Sequence, residues 1–256
     1  VYKRQKLGAQ PFLLAELFKI LLATFAINQI KKIKYSSYIF SKYGLIKLNS
    51  KCKVPQDGVG SYNWYASALY VSKLVDNGIL IDFGSTTCDF SIIKNGNIQN
   101  RRTSDIDGML TKELLYTGCS RTPIYAHISE VRYRNKIYSI IPESFSSMSD
   151  INIILGNLSK GDIYSKSSDG SSHSSLQSYK RISRSFGFDY DRSHKNLINS
   201  LCSEIYNNQV NLIEKTLSFH SKKFFKRTNF VVVGLGLGSS IIRNMCKKNR
   251  YDYLDI

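Results

Sequence analysis

Apolar and polar positions fall into alternating blocks along the chain, and the blocks predict alternating strands and helices. The apolar run Ile79–Ile81 follows Gly78 and predicts a buried strand, and Phe90–Ile93 predicts its return strand in a hairpin. Apolar residues at helical spacing predict helices in six segments: Leu13–Ile30, Tyr62–Val75, Met109–Tyr116 with a cap at Thr103–Asp105, Ser146–Leu158, Leu176–Phe186 and Lys195–Leu217. Further strands are predicted in Lys34–Leu48, Val131–Ile141 and Asn229–Val233, so the chain as a whole predicts an α/β fold.

Composition narrows the class of protein. With 256 residues, 42% of them hydrophobic, the chain is long enough for one or two domains with a real core. The net charge of +17 would suit a protein that binds a polyanionic partner such as a nucleic acid. However, the lysines are spread along the whole chain, and no zinc finger, RNA-recognition signature or basic heptad helix is present. We therefore expect no nucleic-acid partner.

Cysteine usage and hydropathy indicate a cytoplasmic protein. The five cysteines lie far apart without a CxxC pair, which favours free thiols over disulfides or a zinc site. The only long apolar stretch, Pro11–Ile30, is interrupted by Glu16 and Lys19 and predicts a buried helix rather than a membrane span. The four histidines have no ligand spacing.

The predicted hairpin carries the chemistry. Its turn reads Asp82-Phe83-Gly84-Ser85-Thr86-Thr87-Cys88-Asp89. The glycine lets backbone N–H groups approach an anion, and three hydroxyl side chains add donors. Two aspartates beside a bound phosphate are suitable Mg²⁺ ligands, directly or through water. The alternative is an ordinary polar turn, and the whole string favours a phosphate loop, with Gly84, Ser85, Thr86 and Thr87 on the phosphate and Asp82 and Asp89 on the metal.

A second glycine-rich turn follows the last predicted strand. Gly234, Gly236 and Gly238 separate that strand from a helix beginning at Ser240, and a helix N-terminus after glycines is suited to anions. A dinucleotide fingerprint is the alternative, but the spacing is G-x-G-x-G and no βαβ unit follows.

The segment from Asp105 to Pro123 carries acidic residues, among them Asp105 and Glu113. It also contains Thr117-Gly118, which we call the Thr-Gly turn, and Arg121. An arginine there suits a phosphate or carboxylate. A structural ion pair between Arg121 and Glu113 is the alternative, and the residues alone leave both open.

Together these motifs resemble the actin, sugar-kinase and Hsp70 superfamily, and within it the hydantoinase/oxoprolinase-like branch. The string of Asp105, Gly108, the run Glu113–Gly118 and Arg121–Pro123, after the DxGSTTxD loop, is similar to methanofuran-biosynthesis proteins, also described as tetrahydromethanopterin-linked C1-transfer pathway proteins. The matches cover roughly Phe40–Leu254. They include Asn63-Trp64, Met148–Asp150 and Asp169-Gly170.

The resemblance implies an actin-like (ribonuclease-H-like) α/β fold with two lobes. It implies a transferase that joins aminomethylfuran diphosphate to the phenol of a glutamyl-tyramine or tyrosine compound, with Mg²⁺ as cofactor. Arg121 would stabilise the departing diphosphate, and Asp105 or Glu113 would orient the substrate amine. Two alternatives stay open: an ATP-dependent hydrolase of the hydantoinase/oxoprolinase type, and a non-catalytic nucleotide-binding assembly protein. Whether the chain forms a homo-oligomer is also left open.

The sequence departs from the family pattern in several places. A first phosphate hairpin is absent, Cys88 replaces a threonine in the loop, and Asp169-Gly170 continues into the polar Ser171–His173. Residues 1–5 resemble a translated sequencing adapter, so we expect a fragment without turnover, with residues 6–77 as a remnant of the first lobe and 78–256 as the second.

Overall fold

The computed structural model describes residues 37–41, 44–48, 62–226 and 228–256. The predicted helix Leu13–Ile30 lies outside these ranges. The chain divides into two compact units, residues 1–63 and 64–256. In the first unit, β1 (Ser37–Ser41) and β2 (Gly44–Leu48) form an antiparallel hairpin, which confirms the two predicted strands.

A six-stranded mixed sheet forms the centre of the second unit. Its strands are β3 (Gly78–Phe83), β4 (Cys88–Lys94), β5 (Asn97–Ile98), β6 (Leu114–Leu115), β9 (Val231–Leu235) and β10 (Tyr253–Leu254). The order is β10-β9-β3-β4-β5, with β6 paired to β4. The central strand β3 pairs antiparallel with β4 and parallel with β9, so the sheet joins a local hairpin to a strand from the far end of the chain.

Helices cover both faces of this sheet, because the side chains of β3 alternate between two cores. Ile79, Ile81 and Phe83 pack with residues of α5 (Lys195–Phe224) and α6 (Ser239–Asn249). Leu80 points the other way and packs with Trp64, Ala68 and Val71 of α1 (Asn63–Val71). Burial of both faces explains the continuous apolar run in this strand.

A third hydrophobic cluster lies beside the sheet. It brings together α3 (Met148–Ile154), α4 (Ser175–Ser185), the first half of α5 and the hairpin of β7 (Glu130–Tyr133) and β8 (Lys136–Ser139). Met148, Ile151 and Ile182 are fully buried there. The long helix α5 contributes to both this cluster and the sheet core, so it links the two parts of the unit.

The α/β class is confirmed, and most predicted elements are found with shifted ends. The helix predicted through Tyr116 was wrong: α2 (Asp105–Thr111) stops at Lys112, whose φ of 60° is left-handed, and Leu114–Leu115 pairs with Cys88 and Asp89 instead. Helix α5 continues to Phe224, seven residues past the predicted end at Leu217. The two-lobe arrangement and the domain boundaries stay predictions. In the part of the chain that the structure describes, no helix is long and apolar enough to cross a membrane.

Candidate functional site

The hairpin turn after β3 is tight and presents unused backbone donors. The Gly84 N–H donates to the Thr87 carbonyl at 2.9 Å and closes the turn. The N–H groups of Ser85, Thr86 and Thr87 donate to no acceptor in the described ranges. Consecutive free N–H groups in a turn are the arrangement that binds anions. The sequence predicts that Gly84–Thr87 binds phosphate, and we call this segment the phosphate loop from here on.

Asp89, at the start of the return strand, is already paired. Arg102 donates to its carboxylate at 2.5 Å, and the Thr87 hydroxyl donates to the other oxygen at 3.2 Å. The Arg102 guanidinium is buried, stacks on the Trp64 ring at 4.2 Å and also donates to the Glu113 carbonyl at 3.1 Å. The negative charge of Asp89 is therefore largely compensated within the protein.

Asp82 lies opposite Asp89 in the hairpin register, but its negative charge is not compensated by a cation. Its carboxylate makes no hydrogen bond or ion pair within the described part of the chain. Burial, and then the nearby charge of Asp89, raise the pKa of Asp82. An uncompensated, half-buried carboxylate beside a loop with free N–H groups fits Mg²⁺, which takes one or two protein carboxylates and completes its shell with water and phosphate oxygens. No group of three or more His, Cys, Asp or Glu side chains that could hold a metal occurs among the described residues.

The Thr-Gly turn that the sequence singled out lies against the phosphate loop. The N–H of Cys119 donates to the Gly84 carbonyl at 3.0 Å, and the N–H of Arg121 donates to the Ser85 carbonyl at 2.9 Å. A Cβ at Gly118 would lie 2.1 Å from the Ser85 oxygen, so only glycine permits this approach. The structure thus brings together two motifs that lie more than thirty residues apart.

Arg121 itself is exposed, and its guanidinium has no hydrogen bond or ion pair to any described residue. The alternative pair between Arg121 and Glu113 is not formed. Glu113 is buried, and its Oε2 atom has no hydrogen-bond partner in the described part. Arg121 therefore carries a guanidinium without a partner among the described residues and is joined to the phosphate loop by its backbone N–H, whereas Glu113 lies in the interior.

Asp105 lies in the first turn of α2, which begins as predicted at the Ser104 cap. The Tyr116 hydroxyl donates to Asp105 at 2.5 Å, and this hydrogen bond raises the pKa of Tyr116. Asp105 is half-buried and remains reachable from solvent, unlike Glu113.

The glycine-rich turn after β9 reaches the same edge of the sheet. The parallel pairing places Leu235 beside Asp82, and the Gly238 N–H donates to the Phe83 carbonyl at 2.8 Å. A Cβ at Gly236 would lie 2.6 Å from an Asp82 carboxylate oxygen. Gly236 thus lies directly beside the candidate metal ligand, while Gly234 faces the Tyr253 hydroxyl, 2.6 Å from an added Cβ.

The loop around Asp169 is held by an arginine that sequence reasoning missed. Arg181 is fully buried and donates to Asp150 at 2.6 and 2.9 Å and to Asp169 at 3.1 Å. Although burial acts to raise it, hydrogen bonds from Ser171 and the charge of Arg181 lower the pKa of Asp169 to about 2. Arg102 was missed likewise, because no spacing in the sequence connects either arginine to its aspartate.

Comparison with known proteins shows the family of this chain. A profile of the hydantoinase/oxoprolinase family matches residues 27–249, and the chain belongs to that family. The resemblance found in the motifs is thereby confirmed.

Two relatives share the same printed name, (4-{4-[2-(gamma-L-glutamylamino)ethyl]phenoxymethyl}furan-2-yl)methanamine synthase. The protein from Methanocaldococcus jannaschii is 27% identical over 208 residues, which cover 81% of this chain and 62% of the relative. The protein from Methanococcus vannielii is 28% identical over 192 residues, which cover 74% of this chain and 86% of the relative. Among solved structures, a nucleotide-free acetone carboxylase matches with a TM-score of 0.47 and 14% identity, over 79% of this chain and 30% of that one.

Proposed function

We propose that the protein is a transferase of methanofuran-type cofactor biosynthesis that joins aminomethylfuran diphosphate to a phenol and releases diphosphate. The compound in the relatives' name contains a phenoxymethyl link between a tyramine-type ring and a furan. Making that link requires a phenol, a furan methylene and a leaving group on the methylene. An actin-like fold and small-molecule diphosphate and phenolic amine substrates are part of the same proposal.

The observation that carries the proposal is the run of free N–H groups at Ser85–Thr87 beside the unpaired guanidinium of Arg121. The backbone N–H of Arg121 donates to the Ser85 carbonyl, so the residue that carries this guanidinium is attached directly to the loop. A departing diphosphate carries the charge that such donors stabilise. Electrostatic stabilisation of a leaving group is the main contribution that this reaction asks of the protein.

The reaction itself balances without a further reactant. The phenolic oxygen forms a bond to the furan methylene, the bond from that carbon to the diphosphate oxygen breaks, and the phenolic proton leaves to solvent or to a base. Gly84–Thr87 bind the diphosphate, with Gly236 and its neighbours at the adjacent turn, and Arg121 neutralises the departing charge. Asp105, which is reachable from solvent, orients the substrate amine better than the buried Glu113.

Mg²⁺ would be held by Asp82, with Asp89 contributing through water because Arg102 already pairs with it. When bound, the cation supplies charge neutralisation for the diphosphate oxygens.

The proposal is tested first by calorimetric titration of the purified chain with aminomethylfuran diphosphate and Mg²⁺, because the sequence predicts no turnover by this chain; absence of binding would overturn the proposal. γ-Glutamyltyramine is then added, and products are followed by mass spectrometry. An ether product with one diphosphate released per ether, and no need for ATP, supports the transferase. Because this chain spans 62% of the length of the relative from M. jannaschii, the same assay is run on that full-length relative as a positive control.

A second candidate is an ATP-dependent hydrolase of cyclic amides, which the family membership favours. The same phosphate loop would then hold ATP. ATP hydrolysis stimulated by a hydantoin or 5-oxoproline, with no ether formed from the other substrates, would favour this function over the transferase.

A further inference from the structure

Two buried amide side chains hold the Thr-Gly turn from the side opposite the phosphate loop. Gln209 of α5 donates from Nε2 to the Gly118 carbonyl at 2.9 Å and to the Thr117 hydroxyl at 2.8 Å. Asn152 of α3 donates from Nδ2 to the next carbonyl, that of Cys119, at 2.7 Å. Both amide side chains are completely shielded from solvent.

The two carbonyls belong to the same peptide groups whose N–H groups hold the phosphate loop. The peptide group between Gly118 and Cys119 accepts from Gln209 through its carbonyl and donates to the Gly84 carbonyl through its N–H. The following peptide group accepts from Asn152 and donates to the Ser85 carbonyl at 3.4 Å. Hydrogen bonds in such a chain polarise one another, so each amide side chain fixes the plane of its peptide group and strengthens the bond to the loop.

Folding alone does not explain a glutamine at this position. The Oε1 atom of Gln209 is buried and has no hydrogen-bond partner in the described part of the chain, which is unfavourable. Asn152 differs, because its Oδ1 atom accepts from Asn157 at 3.0 Å. Gln209 thus retains an unpaired acceptor in order to donate to the Thr-Gly turn.

We propose that Gln209 and Asn152 are positioning residues. Through Gly118 and Cys119 they hold the phosphate loop of the proposed transferase in position. The expected effect on diphosphate binding rests on the proposed function, whereas the hydrogen bonds from the two amides to the turn do not. Neither residue touches substrate. They act by fixing the turn at Gly118, which packs so closely on the phosphate loop that an added Cβ would lie 2.1 Å from the Ser85 oxygen.

The test compares Gln209→Leu and Asn152→Leu with Ile205→Ala. Ile205 lies one turn earlier on α5, is fully buried and belongs to the cluster beside the sheet, so its truncation lowers stability without touching the turn. Gln209→Met is added in case the leucine variant does not fold. Two quantities are measured on the 256-residue chain well below the unfolding temperature. One is amide hydrogen exchange at Gly84 and at Cys119–Arg121, whose N–H groups donate the hydrogen bonds of the loop and of the turn. The other is binding of inorganic diphosphate with Mg²⁺.

We expect each amide variant to raise exchange at these four amides about tenfold and to weaken diphosphate binding by about the same factor, because a hydrogen bond to the turn is lost. Ile205→Ala should change both by less than about twofold. Equal changes in all variants, or no change at these amides in the amide variants, would overturn the inference. If the wild-type chain binds no diphosphate, the proposed function fails, and the exchange comparison alone decides the positioning role.

Discussion

Asp82 and Asp89 face each other in the register of the β3–β4 hairpin, but only Asp89 has a cation partner, Arg102 at 2.5 Å. Two carboxylates at equivalent positions therefore have different charge environments. Asp89 maintains the local structure, and Asp82 is left with an uncompensated charge and a raised pKa. This difference separates the structural aspartate from the candidate metal ligand.

Exchanging each aspartate for asparagine should have opposite consequences. Asp82→Asn should abolish Mg²⁺-dependent diphosphate binding and leave the unfolding temperature unchanged or raised, because it removes an uncompensated charge. Asp89→Asn should lower the free energy of unfolding by about 3 kcal/mol, because it leaves the buried Arg102 without its partner. Calorimetric titration and urea unfolding of both variants check this. Diphosphate binding that survives unchanged in Asp82→Asn would remove Asp82 from the site.

Arg121 should be required for diphosphate and not for folding. Because its guanidinium is exposed and unpaired, Arg121→Ala should leave the unfolding temperature within about 2 °C of wild type while weakening diphosphate binding about tenfold or more. Arg121→Lys should recover only part of the loss, since lysine cannot bind bidentately. Arg132→Ala, at another exposed arginine on β7, is the matched control and should bind as wild type. Similar weakening in both alanine variants would indicate a general effect of charge.

A methyl group at Gly118 should displace the phosphate loop. The Cβ of Gly118→Ala would lie 2.1 Å from the Ser85 oxygen and 2.4 Å from the Thr86 nitrogen, both backbone atoms that cannot rotate away. We expect a loss of stability of about 2 kcal/mol and no detectable diphosphate binding. Gly161→Ala is the control, because its nearest neighbour is a side-chain oxygen at 3.7 Å. Full binding by Gly118→Ala would mean that this contact does not constrain the loop.

Acidification should destabilise the fold through His127. Burial lowers the pKa of His127 to about 4, and its Nε2 atom lies 3.3 Å from the Thr117 hydroxyl that Gln209 also contacts. The unfolded chain has a histidine pKa near 6.5, so the stability that a neutral His127 provides is complete above about pH 6.5. It declines as the pH falls towards 4, by up to about 3 kcal/mol.

Unfolding by urea at several pH values between 7.5 and 4.5 measures this decline. His127→Gln should flatten the dependence of the unfolding free energy on pH. His220 has its pKa lowered by burial as well, so a residual slope is expected in His127→Gln. An unaltered slope in that variant would show that His127 does not contribute.

The sequence could predict the parts of the site that are local. The β3–β4 hairpin, the loop at Gly84–Thr87 and the glycine turn after β9 depend on apolar runs and on glycine, which short-range patterns reveal. The stop of α2 at Lys112 was not predictable in this way, because the competing strand pairing of Leu114 with Asp89 comes from another part of the sheet.

The residues that complete the site could not be predicted, because their partners lie far away in the sequence. Arg102 is 13 residues from Asp89, Asn152 is 33 residues from Cys119, and Gln209 is 91 residues from Gly118. None of these residues has a neighbour in sequence that marks its role. Only the packing of α3 and α5 behind the Thr-Gly turn brings their side chains to it.

The position of β3 between β4 and β9 also sets an order for folding. The hairpin with β4 closes a short loop, whereas the pairing with β9 joins segments from opposite ends of the sheet unit and closes a long one, which costs more entropy. If this order holds, Ile81→Val should slow folding. Val232→Ala should speed unfolding and leave the folding rate unchanged. On a ribosome, the phosphate loop would therefore form early, and Gly236 would reach Asp82 only after all the residues between them had emerged, so that a polypeptide stopped before Gly236 has no complete site.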